Sequence, residues 1–289
     1  MAFELLPFLS GVFGWIYTFC WSLSFYPQPI LNFRRRSTSG TTIDFPLINT
    51  LGFLAYLVSN LAFYYSPLIR AQYAARNRGH EPTVQFNDIT FAAHALLLSV
   101  IITSQYSRRL WGFTASSSSP GVAGGRRPSR IIMGVGCGCV AGVAAVVVLV
   151  MASPGRDATD GAGAQGWVWL DVVYAVSYVK LLVTLVKYTP QLLVNYRNRS
   201  TRGWSIVQVL LDFTGGILSI AQLAIDSYLQ GDWSGITGNP VKLALGNVSI
   251  IYDLLFMTQH YILYPGAGGK AEEREPILGG REDEERRID

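Results

Sequence analysis

Seven stretches of this chain are strongly apolar: residues 5–31, 45–66, 88–107, 131–152, 167–195, 205–229 and 240–264. A bilayer core needs about 20 mostly apolar residues per helix. The pattern therefore predicts seven transmembrane helices joined by polar connections. The fourth is the cleanest, because Ile131 to Ser153 holds no charge. The fifth is the most interrupted, with Asp171, Lys180 and Lys187. The first starts close to Met1, yet no basic segment precedes it and no small-residue cleavage pattern follows. It reads as a retained span rather than a signal peptide.

Composition agrees with this reading. Half of the 289 residues are hydrophobic and only 15% are charged, against about 25% in ordinary soluble domains. The placement of charge says more than its total. Sixteen of the 23 Lys and Arg fall in 32–44, 108–130, 196–204 and the tail after 264, against four in the other connections. Basic residues collect on the cytosolic side, so the C-terminus is expected in the cytosol and the N-terminus in a lumen or outside.

Two segments read as unstructured. One is the Ser/Gly/Pro-rich linker 114–130, and the other is the mixed-charge tail from Pro265. Within the tail, "EREPIL" carries Glu273 with the pair Ile277 and Leu278. That is the pattern of an acidic dileucine signal read by a sorting adaptor, or simply solvated tail. Cys20, Cys137 and Cys139 make no disulfide framework, and no further ligands stand near them for a metal. No catalytic order of residues and no phosphate loop is visible. Neither an enzyme nor a nucleic-acid-binding protein is expected.

The chain repeats itself. "FYPQPILNFRRRST" from Phe25 matches "KYTPQLLVNYRNRST" from Lys187 at a shift of 163 positions. Pro27 and Gln28 meet Pro190 and Gln191, Asn32 meets Asn195, Gly40 meets Gly203, Asn49 meets Asp212 and Gly52 meets Gly215. The phrases end the first and fifth helices, so the expected plan is two parallel three-helix bundles joined by a linker helix (3+1+3). The expected boundaries are 1–110, 111–153 for the linker and fourth helix, 167–264, and a tail at 265–289. Parallel repeats relate by an axis along the membrane normal, with substrate near midplane beside interrupted helices. A proline inside a helix removes a donor and clashes with the carbonyl four residues back. Pro27, Gln28, Pro190 and Gln191 are accordingly hinge candidates, with the glutamine amides as donors to the freed carbonyls, or else plain packing kinks.

The paired "YPQ" and "YTPQ" resemble the PQ-loop family of seven-helix carriers, which shares the three-one-three plan. Longer stretches, "WSLSFYPQPILNFRRRSTSG", "DFPLINTLGFLAY", "SYVKLLVTLVKYTPQLLVNYRNRSTRGWSI" and "LLDFTGG", are similar to the cystine-exporting members of that family, which are lysosomal and proton-coupled. The resemblance spans nearly all of 11–264. It implies an alternating-access carrier with cystine and protons as partners and no cofactor beyond the proton. Gln208 stands where those members have Asn. Their luminal N-terminal extension and tyrosine-based tail signal are not seen here.

Ionisable groups within spans are costly and mark functional sites by default. Burial of Asp212 disfavours its charged form, which suits a carboxyl that accepts and releases a proton, and the resemblance gives it that role. Lys180 and Lys187 lie seven apart on one helical face, with Asn195 eight further on. Cations beside neutral amides suit a solute with two carboxylates and two ammonium groups. The expected substrate set is Trp21, Phe25, Asn49, Lys180, Lys187, Asn195, Gln208, Asp212 and Lys242. Lys187 has the alternative of snorkelling to the interface, and Trp21 and Phe25 that of simple packing. Asp88 reads as a helix-dipole partner or a second proton site, and Asp253 as a further proton-coupling or pathway carboxyl, or a partner of the lysines in the fifth helix. His94 and His260 read as packed histidines. The expected function is proton-coupled export of cystine from a lysosome or vacuole. The alternatives are a carrier of another solute and a seven-helix receptor.

Overall fold

The computed structural model describes residues 2–77, 79, 82, 84, 86–113, 127–160, 166–230 and 240–265. In chain order its helices are α1 (Ala2–Ser24), α2 (Pro27–Arg35), α3 (Asp44–Tyr65), α4 (Pro67–Arg76), α5 (Phe86–Ser104), α6 (Arg108–Trp111), α7 (Arg130–Ala152), α8 (Trp169–Val186), α9 (Thr189–Asn198), α10 (Ile206–Gln230) and α11 (Pro240–Met257). A π-helical turn, Thr258–Leu263, continues α11. All seven apolar stretches are helical. Four segments are long and apolar enough to cross a membrane: Leu5–Arg35, Asp44–Tyr65, Arg130–Ala152 and Trp169–Asn198. Asp88–Ser104 and Ile206–Gln222 are shorter apolar helices. The chain is an all-α, multi-pass membrane protein.

Its burial pattern runs opposite to that of a soluble domain. The largest fully buried side chains include Gln72, Gln191, Asn32, Asn195 and Asp253, while Trp15, Phe19 and Ile131 are 60% or more exposed. Lipid solvates apolar groups and leaves polar ones to find partners inside.

The prolines begin helices rather than bend them. α1 ends at Ser24, and Pro27 stands at the start of α2; Pro190 stands likewise at the start of α9. There the missing N–H would have lacked a partner anyway. Both short helices end alike. Arg36 and Arg199 take left-handed φ values of 45° and 47°, and Ser37 and Ser200 donate backbone bonds to the carbonyls of Asn32 and Asn195 at 3.1 and 3.2 Å. These are Schellman closures. Lys187 and Asn195 stand on either side of such a break, since α8 stops at Val186 and α9 starts at Thr189.

The chain groups into two compact units, one of residues 1–43, 104–126 and 188–289, the other of 44–103 and 127–187. This division cuts across the expected 1–110 and 167–264 bundles. The reason lies in which helices pack. Within the first unit, α1 packs on α10, with Gly215 seated against the indole of Trp21, where a Cβ would come within 2.5 Å of Cδ1. Within the second, α3 packs on α8, with Gly52 seated against Val183 at 2.7 Å. Gly52 and Gly215 are repeat equivalents. In each case the second helix of one repeat receives the first helix of the other. Small residues permit such close approach, which substitutes for a hydrophobic driving force in lipid.

In the second unit, the expected connection 67–87 holds α4. Ser66 accepts from the Ile69 N–H and Pro67 opens the helix. Gln72, fully buried, donates to the Arg156 carbonyl at 2.9 Å and accepts from the Leu170 N–H at 2.9 Å. Arg76 forks onto Asp171 at 2.5 and 2.9 Å, a bidentate geometry that holds both partners in register. That hydrogen bond raises the Arg76 guanidinium above its ordinary value. Asp171 also accepts from the Val168 N–H at 2.8 Å, capping α8. Its place in the fifth apolar stretch is thus structural.

Candidate transport site

Three buried polar constructions stand out, two in the first unit and one in the second. The largest is built from the two Pro-Gln phrases. Gln28 donates to Asn32 Oδ1 at 2.9 Å and to the Gly203 carbonyl at 2.9 Å, and its Oε1 accepts from the Ser205 N–H at 2.8 Å. Gln191 does the same with Asn195 at 2.8 Å, the Gly40 carbonyl at 3.1 Å and the Thr42 N–H at 3.4 Å. Each glutamine therefore holds the loop that follows the other copy's short helix. The expected bond to freed carbonyls of its own helix is not what the amide makes. A third residue completes each set. Asn32 donates to Gln105, which donates to the Pro29 carbonyl. Asn195 donates to Gln259, which donates to the Leu192 carbonyl.

The loops touch at Gly40 and Gly203, with φ of 84° and 93°. A Cβ on Gly40 would fall on the Arg202 carbonyl, and one on Gly203 on the Ser39 carbonyl. Glycine is required on both counts. Asn195, expected among the substrate contacts, has its amide engaged at both ends here and is 1% exposed.

The second construction surrounds Asp212 in α10. Its Oδ2 accepts from the Tyr188 hydroxyl and from the Ser249 hydroxyl, both at 2.9 Å. Trp21 donates its indole N–H to the Asp212 carbonyl at 3.3 Å. The helix break positions Tyr188, which occupies the cap of α9. Its ring packs on Tyr252 and Phe256 at 5.1 and 5.9 Å, and Trp204 stacks on Phe256 at 5.3 Å. Gln208 lies one turn before Asp212, its buried Oε1 without a hydrogen-bond partner among the described residues. Asp253 is 1% exposed in α11, and Phe25 is half-buried at the end of α1.

The third construction lies in the second unit. Asn49 in α3, buried, donates to the Ser99 hydroxyl at 3.2 Å. Its Oδ1 is buried and has no partner among the described residues. Lys180 places Nζ 3.5 Å from the centroid of Phe53 and 5.9 Å from that of Tyr56. A cation over ring faces is attracted by the ring quadrupole. Lys187 lies 6.0 Å from Phe45. Asp88 sits in the first turn of α5, and Asn60 donates to its carbonyl at 3.4 Å. The side chain of Lys242, and Glu273, Ile277 and Leu278, lie outside the described residues. Among the described residues no group of three His, Cys, Asp or Glu is placed to hold a metal.

Sequence reasoning passed over Tyr188, Ser249, Gln105 and Gln259. One signal was within reach: Tyr188 aligns with Phe25 at the 163-residue shift, so a hydroxyl appears in one copy only.

A repeated, paired, proline-started short helix inside an all-α membrane chain defines a PQ-loop repeat protein. The PQ loop repeat model matches residues 9–69 and 172–232, the same 163-residue shift. Over 262 residues the chain is 39% identical to the cystinosin homolog of Dictyostelium discoideum, covering 90% of this chain and 82% of that protein. It is 36% identical over 264 residues to cystinosin of Bos taurus, covering 90% of this chain and 65% of the bovine protein. A cystine transporter of Saccharomyces cerevisiae is 27% identical over 258 residues, 88% of this chain and 94% of the yeast protein. The chain belongs to the cystinosin family of PQ-loop proteins.

Proposed function

We propose that this protein carries cystine out of a lysosome or vacuole, each transport cycle moving a proton through Asp212 by alternating access. The observation that carries the reading is a carboxylate within a span, held by hydroxyls, in a chain whose relatives are named cystinosin and cystine transporter. Those names denote transporters, not enzymes. In the second unit, Lys180, Lys187 and Asn49 offer cations and an amide of the kind a zwitterion requires, and in the first unit Gln208 offers an amide. The amide oxygens of Asn49, in the second unit, and of Gln208, in the first, have no partner among the described residues, and each suits an ammonium donor. Asp88 and Asp253 are further proton-coupling candidates, Trp21 lines the substrate path beside Asp212, and the tail motif recruits a sorting adaptor. The excess of Lys and Arg supports a cytosolic C-terminus and a luminal N-terminus.

The test is uptake of labelled cystine into liposomes holding the purified chain, with and without an inward proton gradient. We expect uptake that rises with the gradient, since each pH unit supplies about 1.4 kcal/mol per proton. Asp212→Asn is expected to abolish the response to the gradient. Uptake of arginine or a sugar but not cystine would reject the substrate, and no uptake of any solute would point to a receptor.

A further inference from the structure

The two repeats differ around one polar position, and the difference is chemical rather than architectural. At the 163-residue shift, Asp212 replaces Asn49 and Tyr188 replaces Phe25. The third helices align at a different shift. Gln259 plays the part of Gln105, donating to the Leu192 carbonyl as Gln105 donates to that of Pro29, which sets a shift of 154. Ser249, ten residues before Gln259, then falls on Ala95, ten before Gln105. Ala95 is fully buried. The titratable copy thus has two hydroxyls where the amide copy has a phenyl ring and a methyl group.

Both hydroxyls act on one atom. Tyr188 and Ser249 each donate to Asp212 Oδ2 at 2.9 Å, and the two hydroxyl oxygens are 3.4 Å apart. Among the described residues neither bond falls on Oδ1. An oxygen with two O–H donors is a poor place for a proton, because a proton there must displace one of them. We infer that Asp212 takes up and releases its proton on Oδ1, and that Ser249, with Tyr188, is a positioning residue that holds Oδ2 and sets the pH at which exchange occurs. The inference rests on the proton-coupled reading above and adds the atom and the residues that tune it.

Among the described residues the surrounding charges are few. α11 contributes Asp253, within electrostatic reach of Tyr188, and Tyr252. Between residues 5 and 24, α1 carries no Asp, Glu, Lys or Arg, and its titratable groups are Tyr17 and Cys20. α2 carries Arg34 and Arg35 in its last turn. Two neutral hydroxyls on one oxygen therefore supply the adjustable stabilisation of the carboxylate, since hydrogen bonds to the charged form favour it.

The experiment is an infrared titration of the full-length protein in liposomes, following the protonated-carboxyl band that Asp212→Asn removes, alongside cystine uptake across the same pH series. Removing the Ser249 hydroxyl in Ser249→Ala is expected to move the infrared midpoint up by about half to one pH unit, the size of one hydrogen bond. Tyr188→Phe is expected to move it the same way, and Ser249→Thr, which keeps a hydroxyl, to restore the parent midpoint. Thermal unfolding confirms that each variant is folded. If Ser249→Ala does not fold, Ser249→Thr and Tyr188→Phe carry the test. An unmoved or lowered midpoint in folded Ser249→Ala or Tyr188→Phe would overturn the inference, and so would a Ser249→Thr midpoint displaced upward. Uptake indifferent to pH, with the infrared midpoint still moving, would overturn the coupling and uphold the tuning of Asp212 by Ser249 and Tyr188.

Discussion

The first and second Pro-Gln networks are the same construction made twice, and they differ at their edges. Gln28 with Asn32 and Gln105, and Gln191 with Asn195 and Gln259, use the same atoms in the same roles. Their amide-to-amide distances agree within 0.3 Å. The residues that follow do not match. Tyr106 donates its hydroxyl to Thr41 at 2.7 Å and to the Thr42 carbonyl at 3.0 Å. His260, from the π-helical turn, pairs with Thr201 at 2.7 Å. The backbone grip is shared by both copies, whereas the contacts of Tyr106 and His260 are each found in one. Symmetry thus describes the frame, and the departures from it locate the chemistry.

The sharpest way to break the comparison is at the loop contact. Gly40→Ala and Gly203→Ala each place a methyl group on a facing carbonyl and force a positive φ on a residue that resists it. Each is expected to lose on the order of 4 kcal/mol or more, read as loss of folded, monodisperse protein in detergent. If either is tolerated, the two loops do not meet as described. Next come Gln28→Ala and Gln191→Ala. Each strands a buried backbone donor and acceptor, at about 2–4 kcal/mol in total, read as a fall in thermal unfolding temperature. The two losses are expected to be equal within about 1 kcal/mol, and a clear inequality would show that one copy dominates the grip. The smallest effect is expected at the edges. Tyr106→Phe loses two hydroxyl contacts and is expected to cost about 1–2 kcal/mol, with His260→Phe, which loses one, costing about 1 kcal/mol or less.

Much of the helical frame was legible because bilayer thickness dictates length and apolarity. Ile131–Ser153 left no other reading. The repeat was legible because its motif is local, within fourteen residues. The reciprocal grip was not, because Gln28 and the Ser205 N–H are 177 positions apart and no local pattern links them. Sequence alone does not say whether a proline falls inside a helix or at its first turn, so an interruption within a span is expected where Pro27 and Pro190 instead begin helices. α4 was missed because it is short and polar, although Ser66–Pro67 is a recognisable helix start. Asp212 stands out in the sequence by its cost in lipid. Its hydroxyl partners were missed because Ser249 needs a second alignment shift, and because a tyrosine in an apolar run reads as bulk.

The crossed grip of the two loops also has a consequence in time. When the ribosome has finished the first copy, Gln28 and the Gly40 loop exist but their partners do not. Those partners lie in the second copy, which at roughly 5–20 residues per second follows about 5 to 30 seconds later. During that interval the nascent chain holds polar groups that nothing in its own half can satisfy. Its first half is thus a dependent fragment, and any insertion machinery or chaperone that handles it must shelter that end until the second arrives.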